Sequence, residues 1–299
     1  MVVYPNHNWI VVLTTLKGAI LMRIAPRILM ITLLAVVIVF VEKLYPDVFI
    51  NVSATPLTLL GLSLSIFMSF RNSSCYERWW EGRKMWGLVV IEARAMGRET
   101  VSIAGHPLRE EIMKLICGFA HALNAHLRRQ DEWEAAKPWV ANKDFEYVDN
   151  LSDTLLNAIA KRFAMLQAEG AISELRYLEL EKRLRSLSEA HANCERIKNT
   201  PLPFPYTLML HRTTFIFCLL LPFAMAQPLG WLAPFITAVV SYTFFGLDAI
   251  GNELEDPFGN DVNDLPTNAM VRVIERDVLR SLGHEDLPPA LKPVDHVLS

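Results

Sequence analysis

Cysteine is scarce and scattered in this chain: Cys75, Cys117, Cys194 and Cys218, with no CxxC pair among them. That argues against a disulfide framework or a thiolate metal centre and makes ordinary buried thiols the expectation. Catalytic signatures are lacking too. There is no HExxH, no GxSxG and no phosphate-cradling glycine loop. His121 and His126 do not share a helix face well. No enzyme is expected. No basic run or base-stacking module is present, so nucleic acid is not an expected partner. The N-terminus has no basic stretch before its first apolar segment and no small-residue cleavage site after it, so no cleavable signal peptide is expected. Alternating strand patterns are missing throughout.

What the chain does have is apolar length. Hydrophobic residues make up 52% of 299, and mean hydropathy is +0.24, yet 20% of the residues are charged and the net charge is only −3. This balance fits a polytopic membrane protein with a substantial water-exposed part. Val48 to Phe70 carries no charge, about the length that crosses a bilayer core. Ile28 to Val41 is shorter, and with snorkelling ends it makes a first span over roughly 25–45. Thr213 to Leu247 is uncharged as well. As one helix it would run roughly 50 Å, too long for a bilayer. Pro228-Leu229-Gly230 divides it into a tight hairpin, spans three and four. Ahead of these, Trp9, Leu13, Leu16, Ile20 and Ile24 fall on one face of a helix over 8–24. That helix either lies in the interface or leads into the first span.

No span lies between Arg71 and Arg212. The second span continues into water over 72–103, and helices follow at 107–130, 150–168 and 171–198, punctuated by Asn150 and Gly170. Pro201, Pro203 and Pro205 make a stiff linker. A last helix covers 267–282. The expected division is 1–70 (interfacial helix and spans 1–2), 71–210 (cytosolic helices), 211–248 (hairpin of spans 3–4) and 249–299 (acidic loop, helix and tail). Lys17, Arg23, Arg27, Arg71, Arg78, Arg83, Lys84 and Arg212 flank one side of the spans and Lys43 alone the other, which puts both termini in the cytoplasm.

Two stripes mark the second span. Thr58, Leu62, Ile66 and Phe70 form one; Gly61, Ser65, Ser69 and Ser73 form the other, displaced by one position. Small residues at that spacing let membrane helices approach closely. The apolar stripe then faces lipid, a neighbouring helix or the centre of a symmetric ring. Arg71 and the Tyr76–Trp80 segment suit a headgroup interface. The loop holding Asp256, Asp261 and Asp264 has two readings: hard oxygen ligands for calcium or another divalent ion, without EF-hand spacing, or a capping segment. In the second reading Asp264 or Thr267 caps the last helix and Asp256-Pro257 turns the chain.

The stretches LTLLGLSLSIFMSFRNSSCYERWWEGRKMWG at 57–87 and DPFGNDVNDLP at 256–266 resemble the bacterial branch of the bestrophin family. The resemblance covers most of the chain. It implies an all-α polytopic membrane protein with four transmembrane helices per subunit and a helical cytosolic region. It also implies a ring in which each subunit meets four further copies and membrane lipid, in the bacterial inner membrane. It implies an ion channel with an apolar neck at Leu62, Ile66 and Phe70 and a cytosolic constriction, for which Leu180 is the first candidate and Ile172 and Leu184 the second. The permeant ion is sodium, potassium or chloride, and no cofactor is required. Animal members conduct chloride and carry more phenylalanine in the neck. Here two levels are aliphatic and an acidic cluster lies below, so cations are favoured and anions are the alternative. The acidic run after the PFG is broken by Asn260, Val262 and Asn263, which favours a channel not gated by calcium. The competing classes are a secondary transporter and a membrane-anchored scaffold. No internal repeat or mid-membrane ionisable group supports the transporter.

Overall fold

The computed structural model describes residues 1–3, 20–45, 54–140, 145 and 148–299. The proposed interfacial helix over 8–24 and the start of the second span lie mostly outside the described residues. Among those described, the chain is all-helical, with no strand beyond isolated bridges such as Val2 to Val297. The helices are α1 (Leu21–Leu44), α2 (Thr55–Glu99), α3 (Pro107–Leu127), α4 (Glu132–Ala136), α5 (Leu151–Ala168), α6 (Glu174–Asn199), α7 (Phe204–Leu229), α8 (Ala233–Glu255) and α9 (Thr267–Ser281).

They sort into two compact units. One takes Pro5–Trp79 and Pro201–Asp256, which carry α1, the first part of α2, α7 and α8. Its core is Ile24, Ile31, Leu64, Met68, Phe217, Leu221 and Phe245, with a smaller cluster around Ile38, Val39, Ala226 and Ala233. Two stretches among the described residues are helical and apolar enough to cross a membrane, Leu21–Leu44 and Phe204–Glu255. The second contains the expected break. Gly230 sits at φ 52°, a left-handed conformation that glycine adopts without a Cβ penalty, and a short 3-10 turn, Gly230–Leu232, leads into α8. Pro234 occupies the first turn of α8, where its missing N–H costs nothing. Pro205 does the same in α7, so the linker is shorter than its three prolines suggest.

The other unit takes Met1–Tyr4, Trp80–Thr200 and Pro257–Ser299. Here α3 packs on α5, α5 on α6 and α9 on α3, around Trp86, Met113, Ile116, Phe119, Ile159, Phe163 and Ile274. The sequence punctuation acts as expected. Asn150 caps α5 by accepting from the Asp153 N–H at 3.0 Å, and Gly170 closes the same helix at φ 73°. Ser173 caps α6 through the Arg176 N–H. The short helix α4, capped by Asp131 at 3.0 Å from the Glu134 N–H, was not foreseen. All four cysteines are buried free thiols, and burial pushes Cys194 up to about 12.

Candidate functional site: one exposed and one buried stripe of α2

Within the first part of α2 the burial pattern separates three faces. Leu64, Met68, Arg71 and Cys75 are buried, one above another at helical spacing. Leu62 (61% exposed), Ile66 (48%) and Phe70 (63%) lie on the opposite side. Ser65 and Ser69 are exposed on one flank of that stripe and Phe67 on the other, with Leu59 and Ser73 exposed on the stripe itself. Only Gly61 of the small-residue stripe packs inside the subunit. A Cβ there would stand 3.0 Å from Cε2 and Cζ of Phe217 on α7. Within the single subunit the packing face is the Leu64–Cys75 stripe, while Ser65, Ser69 and Ser73 stay uncovered. Ser65 uses its hydroxyl locally, donating to the Gly61 carbonyl at 2.8 Å.

The buried stripe ends in a charge network that the sequence reading missed. Arg71 is fully buried, as is Asp248 on α8. The Arg71 Nη1 lies 3.2 Å from Asp248 Oδ1 and also donates to the Asp248 carbonyl at 3.3 Å. Nη2 donates to Asn252 Oδ1 and lies 3.4 Å from Glu255 Oε2. The second Asp248 oxygen pairs with His211 Nδ1 of α7 at 2.7 Å. Asn72 donates to the Leu247 carbonyl at 3.0 Å, and Arg78 Nε to the Glu255 carbonyl at 3.2 Å. Gly251 leaves room for all this: a Cβ there would come within 2.9 Å of Arg71 Nη1. Arg71 is thus a staple from α2 to α8 rather than a headgroup contact. Its sequence signal was a lone positive charge ending one apolar run and a lone negative charge ending another.

The staple also revises the acidic cluster. Asp248 and Glu255 are spent on Arg71, Glu253 lies 3.5 Å from Arg23, and Asp264 is buried. Asp264 Oδ2 accepts from the Asp261 N–H at 2.7 Å, so it holds its own loop. Neither Asp264 nor Thr267 caps α9, whose N-cap is Pro266 without a side-chain bond. Among the described residues no group of three His, Cys, Asp or Glu side chains is placed to hold a metal ion, so Asp256, Asp261 and Asp264 are not gathered into the expected ligand set.

Two positions of the second unit bear on the other expectations. Leu180 is 1% exposed, and Ile172 and Leu184 are buried as well. Within the single subunit the side chain expected at a constriction, Leu180, packs inward. The exposed apolar residues of α6 are Leu175 (77%) and Leu178. The PFG segment is structural: Phe258 is buried, and a Cβ on Gly82 would lie 3.0 Å from its Cζ.

Among the described residues the chain is all-helical, with helices long and apolar enough to cross a membrane and an uncovered apolar stripe opposite a buried charge staple, the features of a membrane protein. The chain belongs to the bestrophin family: the sequence model for the bacterial and fungal bestrophin proteins matches residues 1–280. It is 36% identical over 299 residues to the voltage-dependent anion channel-forming protein mll4386 of Mesorhizobium japonicum, covering 99% of this chain and 96% of the relative. It is 34% identical over 300 residues to the voltage-dependent anion channel-forming protein YneE of Escherichia coli K12, covering 99% of each. The crystal structure of a bacterial bestrophin homologue from Klebsiella pneumoniae superposes with a TM-score of 0.84 at 32% identity, covering 88% of this chain and all of that one.

Proposed function

We propose that the chain is the subunit of a homopentameric bestrophin-type ion channel that passes monovalent ions passively across the bacterial inner membrane. Four helices of each subunit span the bilayer, and both termini lie in the cytoplasm. The observation that carries this reading is the exposed Leu62-Ile66-Phe70 stripe on α2, turned away from the subunit's own core. Five such stripes around an axis make an apolar neck about 12 Å long, from three levels at about 5–6 Å per turn. A constriction of that kind gates by dewetting. A second constriction falls to Leu175, the most exposed apolar side chain of α6.

Selectivity has two readings. Cations are favoured by the aliphatic levels Leu62 and Ile66, which offer no ring edge to an anion. Anions are favoured by the names of the relatives from Mesorhizobium and Escherichia and by the internal pairing of Asp248, Glu253 and Glu255. The reversal potential of the purified protein in planar bilayers under a NaCl gradient decides between them. A value near the sodium Nernst potential supports a cation channel, and one near the chloride potential an anion channel. No current would return the transporter and scaffold readings.

A further inference from the structure

Beyond Phe70 and the serines of the next turn, Ser73 and Ser74, the face of the apolar stripe of α2 reaches a charge. Seven positions after Phe70 comes Glu77. Seven residues advance a helix by roughly 10 Å and turn it back by only about 20°. In angle, Glu77 therefore falls between Ile66 and Phe70, in the middle of the same face. Its side chain is exposed, and among the described residues it makes no hydrogen bond or ion pair.

Three basic residues of this unit are directed elsewhere. Arg71, on the opposite face, is buried against Asp248 and Glu255. Arg78 follows Glu77 by about 100° around the helix and donates to the Glu255 carbonyl at the end of α8. Arg23 pairs with Glu253. Glu77 is thus the first exposed charge on the stripe beyond Phe70, and the helix register brings the next one, Lys84, a further heptad on.

We propose that Glu77 sets the charge selectivity of the pore by forming a ring of carboxylates at the inner mouth of the apolar neck. This rests on the reading of Leu62, Ile66 and Phe70 as that neck. A ring of like charges at a low-dielectric constriction focuses its field there, concentrating cations and repelling anions at the step where the ion must shed water. The ring acts on permeation, not on folding, because Glu77 holds nothing in its own subunit.

The test uses full-length protein in planar bilayers under a NaCl gradient at low ionic strength, where the Debye length approaches roughly 30 Å. Glu77→Lys should lower the sodium-to-chloride permeability ratio by about fivefold or more, and Glu77→Gln, nearly isosteric, by a smaller factor in the same direction. Raising the salt should shrink both effects. Both variants should elute at the wild-type volume on size exclusion. A permeability ratio within about twofold of wild type in Glu77→Lys, with wild-type conductance intact, overturns the ring while leaving the channel reading in place. Absence of wild-type current overturns both.

Discussion

Replacing Arg71 by methionine tests whether the buried staple organises the membrane-type unit. The change keeps side-chain length and removes the charge. Asp248, 1% exposed, would then keep only His211 at 2.7 Å, and Glu255 would lose its contact at 3.4 Å. Removing one partner of a buried pair leaves an uncompensated charge, at a cost of about 3–5 kcal/mol. At roughly 2–4 °C per kcal/mol, the melting temperature should fall by about 10 °C, read from the fluorescence of the seven tryptophans in detergent. Arg71→Lys should lose less: it retains a charge but cannot fork to Asp248, Asn252 and Glu255 at once. Combining Arg71→Met with Asp248→Asn should recover part of the loss, because the stranded carboxylate is gone. A single variant melting within about 2 °C of wild type would refute the argument. So would a double variant that loses the full sum.

Gly61→Leu should cost about 1–3 kcal/mol by overpacking, because the Phe217 ring 3.0 Å away is itself packed edge-on against Phe244 at 4.8 Å; an unchanged melting curve would remove this contact from the account. Ile66→Ala should raise single-channel conductance severalfold by widening the neck, and unchanged currents would count against the assignment of the stripe. Leu180→Ala should destabilise by about 2–5 kcal/mol without altering conductance, whereas Leu175→Ala should alter conductance at a stability cost below about 0.5 kcal/mol; the reverse pattern would restore Leu180 as the constriction. His126 is held above its ordinary value by its hydrogen bond to Glu132, aided by Glu195. Its stabilisation is therefore complete below about pH 6.5 and lost as pH rises through the raised value. His191, bonded to Ser152 and pushed down by burial, opposes this on the acid side. Hence His126→Gln should lower the melting temperature more at pH 6 than at pH 9, and an equal loss at both would refute the linkage.

The helices were legible because their signals are local. Caps at Asn150 and Ser173, the left-handed glycines 170 and 230, and the uncharged runs each act within a few residues. The exposed face of α2 was legible for the same reason, since periodicity alone groups Leu62, Ile66 and Phe70. The Arg71 staple was not, because it joins residues 177 positions apart and the sequence records charges without recording partners. Leu180 was ambiguous for a related reason. On a helix with apolar residues at Leu175, Leu178, Leu180 and Leu184, spacing cannot say which of them faces the core. The acidic loop illustrates the limit from another side: an aspartate reads as a ligand or as a cap until its hydrogen-bond donor is known, and for Asp264 that donor is the Asp261 backbone.

The division of α2 into a buried and an uncovered stripe has a genetic corollary. In the proposed ring every subunit contributes to one shared conduit. A substitution on the uncovered stripe leaves the subunit able to fold and join, so a single altered copy spoils the assembly for its neighbours, and such alleles should behave as dominant in mixed expression. A substitution in the Arg71 staple disables the subunit before it joins, so the intact copies assemble without it and the allele should behave as recessive.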